Sequence, residues 1–435
     1  MADVRPFRGL RFDPFLTDPA LAIAPPYDVI SPEEQLALYG RSANNIVRVE
    51  YGEQRVGDTA SDNRYTRAAR DLDDWRRSGV LVRDEHPAVY SYRQEFTWEG
   101  RRYTRHHYFA AVRLQDWKQG DIKPHERTLS GPKADRLDLL RATRTQVSPV
   151  YCLYRTAGPG HALPVITGEP LCDFEADGQH HVLAALSDAG ALASLSAHMA
   201  DCDVYIADGH HRYETALNYR NECRDRAPSW SGDEPENFVL MALTDAADPG
   251  LLVLPTHRIV NPVSSPPDAM DRIARHFRVE DVTPAAGASG LASALARLDA
   301  QKRGTAFLAI GLEPGRTHLL TLAGRAALET LMPSGQPDAW KRLDVSVLQY
   351  GILAHIFGID DAALAAGGVV SYTQDPRAAS DAALDGRARV AFLLNATPVE
   401  QVLAVADVGG RMPQKSTYFY PKLPTGLVMN ALDPD

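Results

Sequence analysis

The stretch YIADGHHRYETALNYR, residues 205–220, decides how the first half of the chain folds. It continues a short apolar run, so residues 203–207 are predicted to form a buried strand. A helix follows, and Gly209 supplies the tight turn because glycine adopts backbone conformations that other residues avoid. One face of this helix carries, at helical spacing, the side chains of Tyr213, Ala216, Leu217 and Arg220. The stretch therefore predicts a strand, a tight turn and a helix with Gly209 at its N-terminal end, which we call the mouth of the helix.

The turn itself, Asp208–Arg212, concentrates an acid, a glycine, two imidazoles and a guanidinium. The first N–H groups of a helix lack partners within the helix, and together with the helix dipole they favour anions. His210, His211 and Arg212 add donors, and a guanidinium matches the geometry of phosphate oxygens. The structural alternative is a capped turn, with Asp208 as the N-cap and both histidines on the surface. Metal binding by both histidines is disfavoured, because neighbours on a helix point about 100° apart. The turn is therefore predicted to bind phosphate.

Composition narrows the class of protein. The 435 residues are 44% hydrophobic and 23% charged, which is typical of a globular chain, and the length predicts more than one domain. The net charge of −10 argues against a general nucleic-acid binder. The sequence has neither a signal-peptide core nor the roughly 18 apolar residues of a membrane span. We expect a cytoplasmic protein with a small-molecule substrate and neither a nucleic-acid nor a membrane partner. Free thiols are expected at Cys152, Cys172, Cys202 and Cys223.

The pattern along the chain predicts a mixed α+β fold with a hairpin-rich first half. Residues 88–114 are the clearest hairpin, with a turn near Glu99-Gly100, and 64–81 has helical spacing. The alternating segment 44–52 predicts a strand, and a further helix is expected from about Asp135. From about residue 265 helices and strands alternate. The predicted domains are therefore 1–264 and 265–435.

A second motif, KPHERT, spans Lys123–Thr128 and places Glu126 among cations. A carboxylate in such surroundings stays ionised, which suits a group that orients a hydroxyl or binds a metal. A solvated, salt-bridged loop is the alternative interpretation. Three neighbours of Glu126 in sequence are predicted to line the site: His125, Arg127 and Thr128. Lys133, a little further along, is predicted to contact phosphate.

Three other segments contribute candidates. MPQKSTYFYPK, residues 412–422, carries Lys415, Ser416 and Thr417, which are predicted to contact phosphate although the glycine pattern of a phosphate loop is absent. An ordered terminal segment without a role is the alternative there. In PTHRIV, residues 255–260, we interpret His257 as a structural histidine in preference to a residue that binds a ligand. The remaining candidates for lining the site are His257, Arg258, Tyr27 and Asp28.

Two resemblances follow from these motifs. Over nearly its whole length the sequence resembles the family called domain of unknown function 1015. The matching segments are RPFRGLRFDP, APPYDVIS, KPHERTLSGPKADRL, ADGHHRYETAL, DPGLLVLPTHRIV, RLDVSVLQYGIL and MPQKSTYFYPKLPTGLV. The Asp-Gly-His-His-Arg box after a short strand is similar to the phosphate-binding box of the ParB/sulfiredoxin superfamily, and free serine kinases carry a similar sequence. This resemblance implies a ParB/sulfiredoxin-like first domain, 1–264, that binds nucleotide or phosphate. The second domain, 265–435, is then an α/β domain whose terminal loop, 409–428, returns to the site.

The box resemblance implies a small-molecule kinase. The donor would be ATP, ADP or pyrophosphate with Mg²⁺, held on Gly209–Arg212, and the metal would have no cage of protein ligands. Glu126 is expected to act as the base because the superfamily kinases place an essential glutamate before the box. The catalytic candidates are Glu126, Asp208 and His210, and free L-serine is the expected acceptor. The alternatives are a nucleotide-binding switch or hydrolase of ParB type, and a non-enzymatic binder of an anionic metabolite.

Overall fold

The computed structural model describes most of the chain. The described residues are 2–117, 120–126, 128, 130–156, 169–261, 266–283 and 287–433.

The strands are numbered in chain order. They are β1 (Val4–Arg5), β2 (Gly9–Phe12), β3 (Leu81–Arg83), β4 (Val89–Trp98), β5 (Arg101–Arg113), β6 (Ile122–Pro124), β7 (Thr145–Gln146), β8 (Val150–Arg155), β9 (Cys172–Ala176), β10 (Gln179–Leu186), β11 (Asp203–Asp208), β12 (Phe238–Asp245), β13 (Leu252–Leu254), β14 (His257–Val260), β15 (Phe277–Asp281), β16 (Ala306–Ile310), β17 (Thr317–Leu322), β18 (Val370–Thr373), β19 (Val390–Leu394), β20 (Tyr418–Tyr420) and β21 (Met429–Ala431).

The helices are numbered in the same way. They are α1 (Pro19–Ala22), α2 (Pro32–Arg41), α3 (Val47–Glu50), α4 (Arg64–Arg77), α5 (Ser130–Thr143), α6 (Ala189–Ala200), α7 (His210–Arg226), α8 (Ala269–Ala274), α9 (Gly287–Asp299), α10 (Arg325–Leu331), α11 (Asp338–Lys341), α12 (Asp344–Ser346), α13 (Asp361–Ala366), α14 (Pro376–Leu384) and α15 (Val399–Asp407). Short 3₁₀ turns occur at Tyr27–Val29 and Pro235–Asn237, and a π-helical stretch, Val347–Ala354, continues α12. The mixed α+β class predicted from the sequence is confirmed.

Across the described ranges, the residues group into two compact units. The first unit comprises residues 1–124, 128–251 and 421–435, and the second comprises 125–127 and 252–420. The functional domains predicted as 1–264 and 265–435 stay a prediction. Among the helices that the structure describes, none is long and apolar enough to cross a bilayer.

The main sheet of the first unit has the strand order β6-β11-β8-β12-β5-β4-β10-β9, and β1 pairs with β5. The predicted hairpin is confirmed as the antiparallel pair β4–β5. Its turn residues Glu99 and Gly100 have φ of 48° and 77°, the left-handed conformation that suits tight hairpin turns. The edge strand β6 runs parallel to β11, with Ile122 opposite Val204 and Pro124 opposite Ile206. Both strands therefore end at the same edge of this sheet.

Helices α6 and α7 bury their apolar faces in the core of this sheet. Leu195 and Met199 of α6 and Tyr213 and Leu217 of α7 are buried there. Full burial of one such side chain contributes about 1.5–3 kcal/mol relative to exposure. The α7 face predicted from the sequence is therefore the face that packs the helix against the sheet.

A smaller sheet of the first unit has the order β3-β2-β21-β7. It packs in a core to which α3 and α4 contribute, and Trp75 of the predicted helix α4 is buried in it. Two sequence predictions in this region were wrong in detail. Residues 44–52 contain helix α3 rather than a strand, because the Asn45 side chain accepts the Val47 N–H (2.9 Å) and starts a helical turn. The helix expected from about Asp135 begins earlier, at Ser130.

The second unit is built on a sheet with the order β15-β17-β16-β19-β14-β18. The central strand β16 is buried along its whole length, as its continuous apolar sequence predicts for a strand covered on both faces. Ala306, Leu308 and Ile310 point into a core shared with α9 and α14, whereas Phe307 and Ala309 point into the opposite core. This alternation makes the unit a sheet with helices packed on each side.

Candidate functional site

The strand, turn and helix predicted around the Asp-Gly-His-His-Arg box are confirmed. Asp208 is the last residue of β11, and α7 begins at His210. Gly209 has φ +89° and ψ 26°, which is left-handed, and its carbonyl accepts the first α7 hydrogen bond from Tyr213 N–H (3.0 Å). The capped-turn alternative required Asp208 to be the N-cap, and it is not. Instead, its Oδ1 accepts the N–H of Gly209 (2.9 Å). Within the described residues, no side chain caps α7 at Gly209.

Asp208 lies in a strongly positive field. Lys422 Nζ donates to its Oδ2 at 3.0 Å, and Arg212 Nη2 lies 3.7 Å from the same oxygen. Burial by itself raises the pKa of this carboxyl, but Lys422, Arg212 and His210 outweigh burial and hold the pKa well below its usual range. Asp208 therefore stays ionised at neutral pH and fixes two cations at the mouth of α7. Lys422 lies in the terminal segment 409–428.

The guanidinium of Arg212 packs against the turn at Gly209. Its guanidinium donates to the carbonyl of Pro149. A Cβ at Gly209 would lie 2.9 Å from Arg212 Nε and 3.0 Å from its Cζ, so only glycine leaves room for this arrangement. Nε is buried and has no hydrogen-bond partner among the residues that the structure describes. A buried donor without a partner is costly, so this nitrogen is suited to an acceptor that arrives with a ligand.

The two histidines of the box have different surroundings. His210 is buried, with 6% of its surface exposed, whereas His211 is half-buried. His210 contributes to the positive field at Asp208. Over the described ranges, His, Cys, Asp and Glu side chains form no cluster of three or more that could hold a metal ion.

Helices α5 and α7 begin at the same end of the first unit. Lys133 Nζ contacts Glu214 Oε2 at 2.8 Å, and eight residues further along both helices Arg141 Nε contacts Glu222 Oε2 at 3.0 Å. Equal spacing on both helices means that they run parallel, so their positive N-terminal ends lie together. Thr128 Oγ1 also donates to Glu214 (2.7 Å). Lys133 and Thr128 were predicted; Glu214 was missed, because nothing in its local sequence sets it apart from an ordinary helix residue.

The KPHERT and MPQKST motifs meet in the second unit. Glu126 and Met412 form a parallel bridge, and Met412 N–H donates to the carbonyl of His125 (2.6 Å). His125 Nε2 also lies 3.2 Å from Thr417 Oγ1. The histidine is buried, whereas 22% of the Glu126 side chain is exposed. From the sequence alone these motifs were separate candidates. The structure brings His125 and Glu126 of the first motif beside Met412 and Thr417 of the second, in one unit. Ser416 is buried, and its hydroxyl donates to the carbonyl of Pro413 (2.5 Å).

His257 and Arg258 lie in the same unit and are buried. Burial and, to a lesser extent, the neighbouring Arg258 together lower the pKa of His257 to about 4. Its Nδ1 accepts the N–H of Leu394 (3.4 Å). Arg258 donates to the carbonyl of Lys415 (3.1 Å). Burial lowers the pKa of Arg258 to about 10, although Tyr372 and Glu126 oppose the shift.

Tyr27 belongs to a buried charged group in the first unit. Its ring lies under the guanidinium of Arg136, 4.1 Å from the ring centre, and its N–H donates to Glu50 Oε1 (3.3 Å). Asp28 is exposed. Arg127 lies outside the described residues. Glu50 and Arg136 were not among the sequence candidates, and no short motif marks them. The grouping of Glu126 and Asp208 as catalytic candidates of one site stays a prediction.

The chain belongs to the family described as "Protein of unknown function (DUF1015)", whose pattern matches residues 4–346. The family resemblance predicted from the sequence is thereby confirmed. No curated protein matches the sequence.

Several solved structures are similar to this chain at low identity. A conserved hypothetical protein from Pyrococcus furiosus is 14% identical, with 73% of this chain and 93% of that chain covered and a TM-score of 0.35. A free serine kinase in complex with AMP is 13% identical, with 74% and 92% covered and a TM-score of 0.36. SbnI from Staphylococcus aureus, truncated at its C-terminus, is 8% identical, with 75% and 90% covered and a TM-score of 0.34.

Proposed function

We propose that the protein is a small-molecule kinase that transfers a phosphoryl group from ATP, ADP or pyrophosphate to a hydroxyl group. The observation that carries the proposal is the turn Gly209–Arg212, where a helix begins on a left-handed glycine beside a buried guanidinium donor. Free L-serine is the proposed acceptor, and it rests on the resemblance of the box to that of free serine kinases.

The donor phosphates bind at the mouth of α7. A phosphate oxygen there meets the N-terminal N–H groups of the helix and the positive end of its dipole. Arg212 Nε supplies a donor that is otherwise left without a partner among the described residues, and Lys422 adds a nearby charge. The parallel start of α5 brings Lys133 and a second helix N-terminus to the same end of the unit. These features favour a ligand with more than one phosphate.

Mg²⁺ accompanies the donor in this proposal. Magnesium is commonly held by substrate phosphates and one or two carboxylates, so the proposal needs no cage of protein ligands. Asp208 is the carboxylate at the turn. When bound, the ion neutralises phosphate charge, while Arg212 and Lys422 orient the phosphates.

Glu126 is proposed as the base that accepts the proton of the acceptor hydroxyl. Catalysis of this kind requires the carboxylate within hydrogen-bond reach of the hydroxyl, beside the phosphate site. The assignment rests on the resemblance alone, because the superfamily kinases place an essential glutamate before the box, as Glu126 stands before Asp208 here. His210 and Asp208 complete the proposed catalytic group.

A phosphorus NMR screen tests the proposal. Purified protein is incubated with ATP, ADP or pyrophosphate and with a set of amino acids and polyols that includes L-serine. A new phosphomonoester that depends on the acceptor supports the kinase. Free phosphate without acceptor dependence shows the hydrolase or switch of ParB type, and binding without turnover shows the binder of an anionic metabolite.

Substitution of Glu126 tests the assigned base. Glu126→Gln keeps the shape and removes the charge, so turnover is expected to fall about 100-fold or more while the donor still binds. Glu400→Gln, an exposed change in the first turn of α15, is the matched control and should leave turnover unchanged. Unchanged turnover in Glu126→Gln would remove the base from the mechanism.

A further inference from the structure

A partly open cavity of about 50 Å³ lies in the first unit, and Arg212 forms part of its wall. The other polar side chains around it include Glu50, Arg136, Ser148 and Thr215, and the rest of the wall is largely apolar. A water molecule needs only about 10–15 Å³ of such a space, provided that polar partners surround it. The cavity therefore has the size to hold water, and Glu50, Arg136, Ser148 and Arg212 in its wall can supply the polar partners.

Glu50 is completely buried, and its contacts are donors. Its Oε1 accepts from Tyr27 N–H (3.3 Å), its Oε2 accepts from Ser148 Oγ (3.3 Å), and Arg136 Nη1 lies 3.6 Å from Oε2. Burial raises the pKa of this carboxyl, and Arg136 and Arg212 oppose the shift. These donors hold the carboxyl in place and oppose the effect of burial without cancelling it.

Arg136 is itself held firmly. It donates to the backbone carbonyl of Glu50 (2.7 Å) and makes a forked contact with Asp135 Oδ2 through Nε (2.8 Å) and Nη2 (2.6 Å). Tyr27 packs under its guanidinium. The position of the Glu50 carboxylate is thus fixed from several sides, whereas Arg212 across the cavity has a free Nε among the described residues.

A buried ion pair of this kind is weak evidence for stability, because apolar side chains of similar volume often stabilise a core as well or better. Orienting a neighbouring charge is a better account of it here. We propose that Glu50, held by Arg136, is a positioning residue that orients the Arg212 guanidinium toward the donor phosphates through water in the cavity. This inference rests on the proposed function, because it assigns Arg212 to the donor.

A double-mutant cycle tests the inference, with ADP and pyrophosphate as probes and calorimetry as the measurement. Glu50→Gln is expected to weaken probe binding about tenfold, the size of coupling found between groups that share partners. In an Arg212→Lys background the same change should weaken binding less than twofold, because the guanidinium through which Glu50 acts is gone. Loss of structural integrity alone would affect both backgrounds equally.

Two further variants complete the test, one as a matched control and one as a replacement for a variant that does not fold. Glu53→Gln, three residues along the chain and outside the cavity wall, is the matched control and should bind like the parent. If Glu50→Gln does not fold, Ser148→Ala replaces it, because it removes a donor to Glu50 and leaves the Arg136 pair intact. Ser148→Ala should weaken binding about threefold in the parent and not in Arg212→Lys.

The outcomes separate the two hypotheses. Equal weakening by Glu50→Gln or Ser148→Ala in both backgrounds overturns the positioning role and leaves the kinase proposal standing. If the parent protein binds no ATP, ADP or pyrophosphate, the phosphate site fails, and the positioning role fails with it.

Discussion

Gly209→Ala is a sharp test of the turn, because the residue is constrained in two independent ways. Its φ of +89° lies in the left-handed region, which costs an L-residue about 1–2 kcal/mol. The new Cβ would also lie 2.9 Å from Arg212 Nε, closer than real Cβ contacts come, and 3.1 Å from Nη2, which is tighter than most of them. The guanidinium must therefore move.

The magnitude follows from these two terms. Moving Arg212 breaks its hydrogen bond to the carbonyl of Pro149, and a hydrogen bond to a charged group contributes about 1.5–3 kcal/mol. With the backbone cost, the free energy of unfolding is expected to fall by about 3–4 kcal/mol. Because Arg212 is displaced from the mouth of α7, donor binding should also weaken by at least tenfold.

Denaturant unfolding and calorimetry with ADP measure the two effects, and Gly100→Ala is the matched control. Gly100 also has positive φ, +77°, but a Cβ there would meet nothing within 4 Å in the described part of the chain. The control should therefore show the backbone cost alone, about 1–2 kcal/mol, with normal donor binding. If Gly209→Ala is no more destabilised than Gly100→Ala and binds ADP normally, the packing of Arg212 on the turn is refuted.

Three further predictions concern single side chains. Lys422→Met should raise the pKa of the Asp208 carboxyl toward its ordinary value, because it removes the largest opposing charge; carbon-13 NMR of the carboxyl would show this, and an unchanged pKa would contradict it. His257 stays neutral in the folded state between pH 6.5 and about 4, while the unfolded chain takes up a proton. Stability should therefore fall by about 3 kcal/mol as the pH falls through this window, and His257→Gln should remove that component from unfolding curves measured across it. Tyr213→Phe leaves both the N–H and the carbonyl of Gln115 without their hydroxyl partner, so the free energy of unfolding should fall by about 2–3 kcal/mol; a change below 0.5 kcal/mol would show that water replaces the hydroxyl.

Local patterns predicted the elements that carry the turn. The apolar run before Asp208, the glycine and the helical spacing after it are all contained in residues 203–220, so no distant contact was needed to identify them. The same holds for the hairpin, where Glu99-Gly100 adopts the conformation that its turn requires. The segment 44–52 shows where local sequence patterns fail to predict the secondary structure. Its alternating residues fit a strand, but burial of nearly every residue from 46 to 50 suits a short helix packed in the core just as well.

The charge pairs of the site could not be predicted, because the partners are far apart in sequence. Lys422 contacts Asp208 across 214 residues, and Lys133 contacts Glu214 across 81. A lysine or glutamate on a helix has the same local signature whether it faces solvent or a distant partner. Glu50 illustrates this best, since its segment was assigned to a strand and its burial depends on partners contributed by other elements. Residue type indicated the chemistry of the box, and the topology decided which charges surround it.

Asp208 is proposed as part of the catalytic group, and its charge bears on which role it takes there. An anion at the centre of a phosphate site would repel the ligand, unless its role is to hold the surrounding cations in place. Lys422 and Arg212 both contact Asp208 Oδ2, and the resulting low pKa makes the carboxylate a weak proton acceptor at neutral pH. A residue with these properties suits the fixing of cations, or a share in binding Mg²⁺, better than it suits removal of a proton. In the proposed mechanism, proton removal is therefore assigned to Glu126, and the two carboxylates take separate proposed roles: Asp208 organises the donor site and Glu126 activates the acceptor.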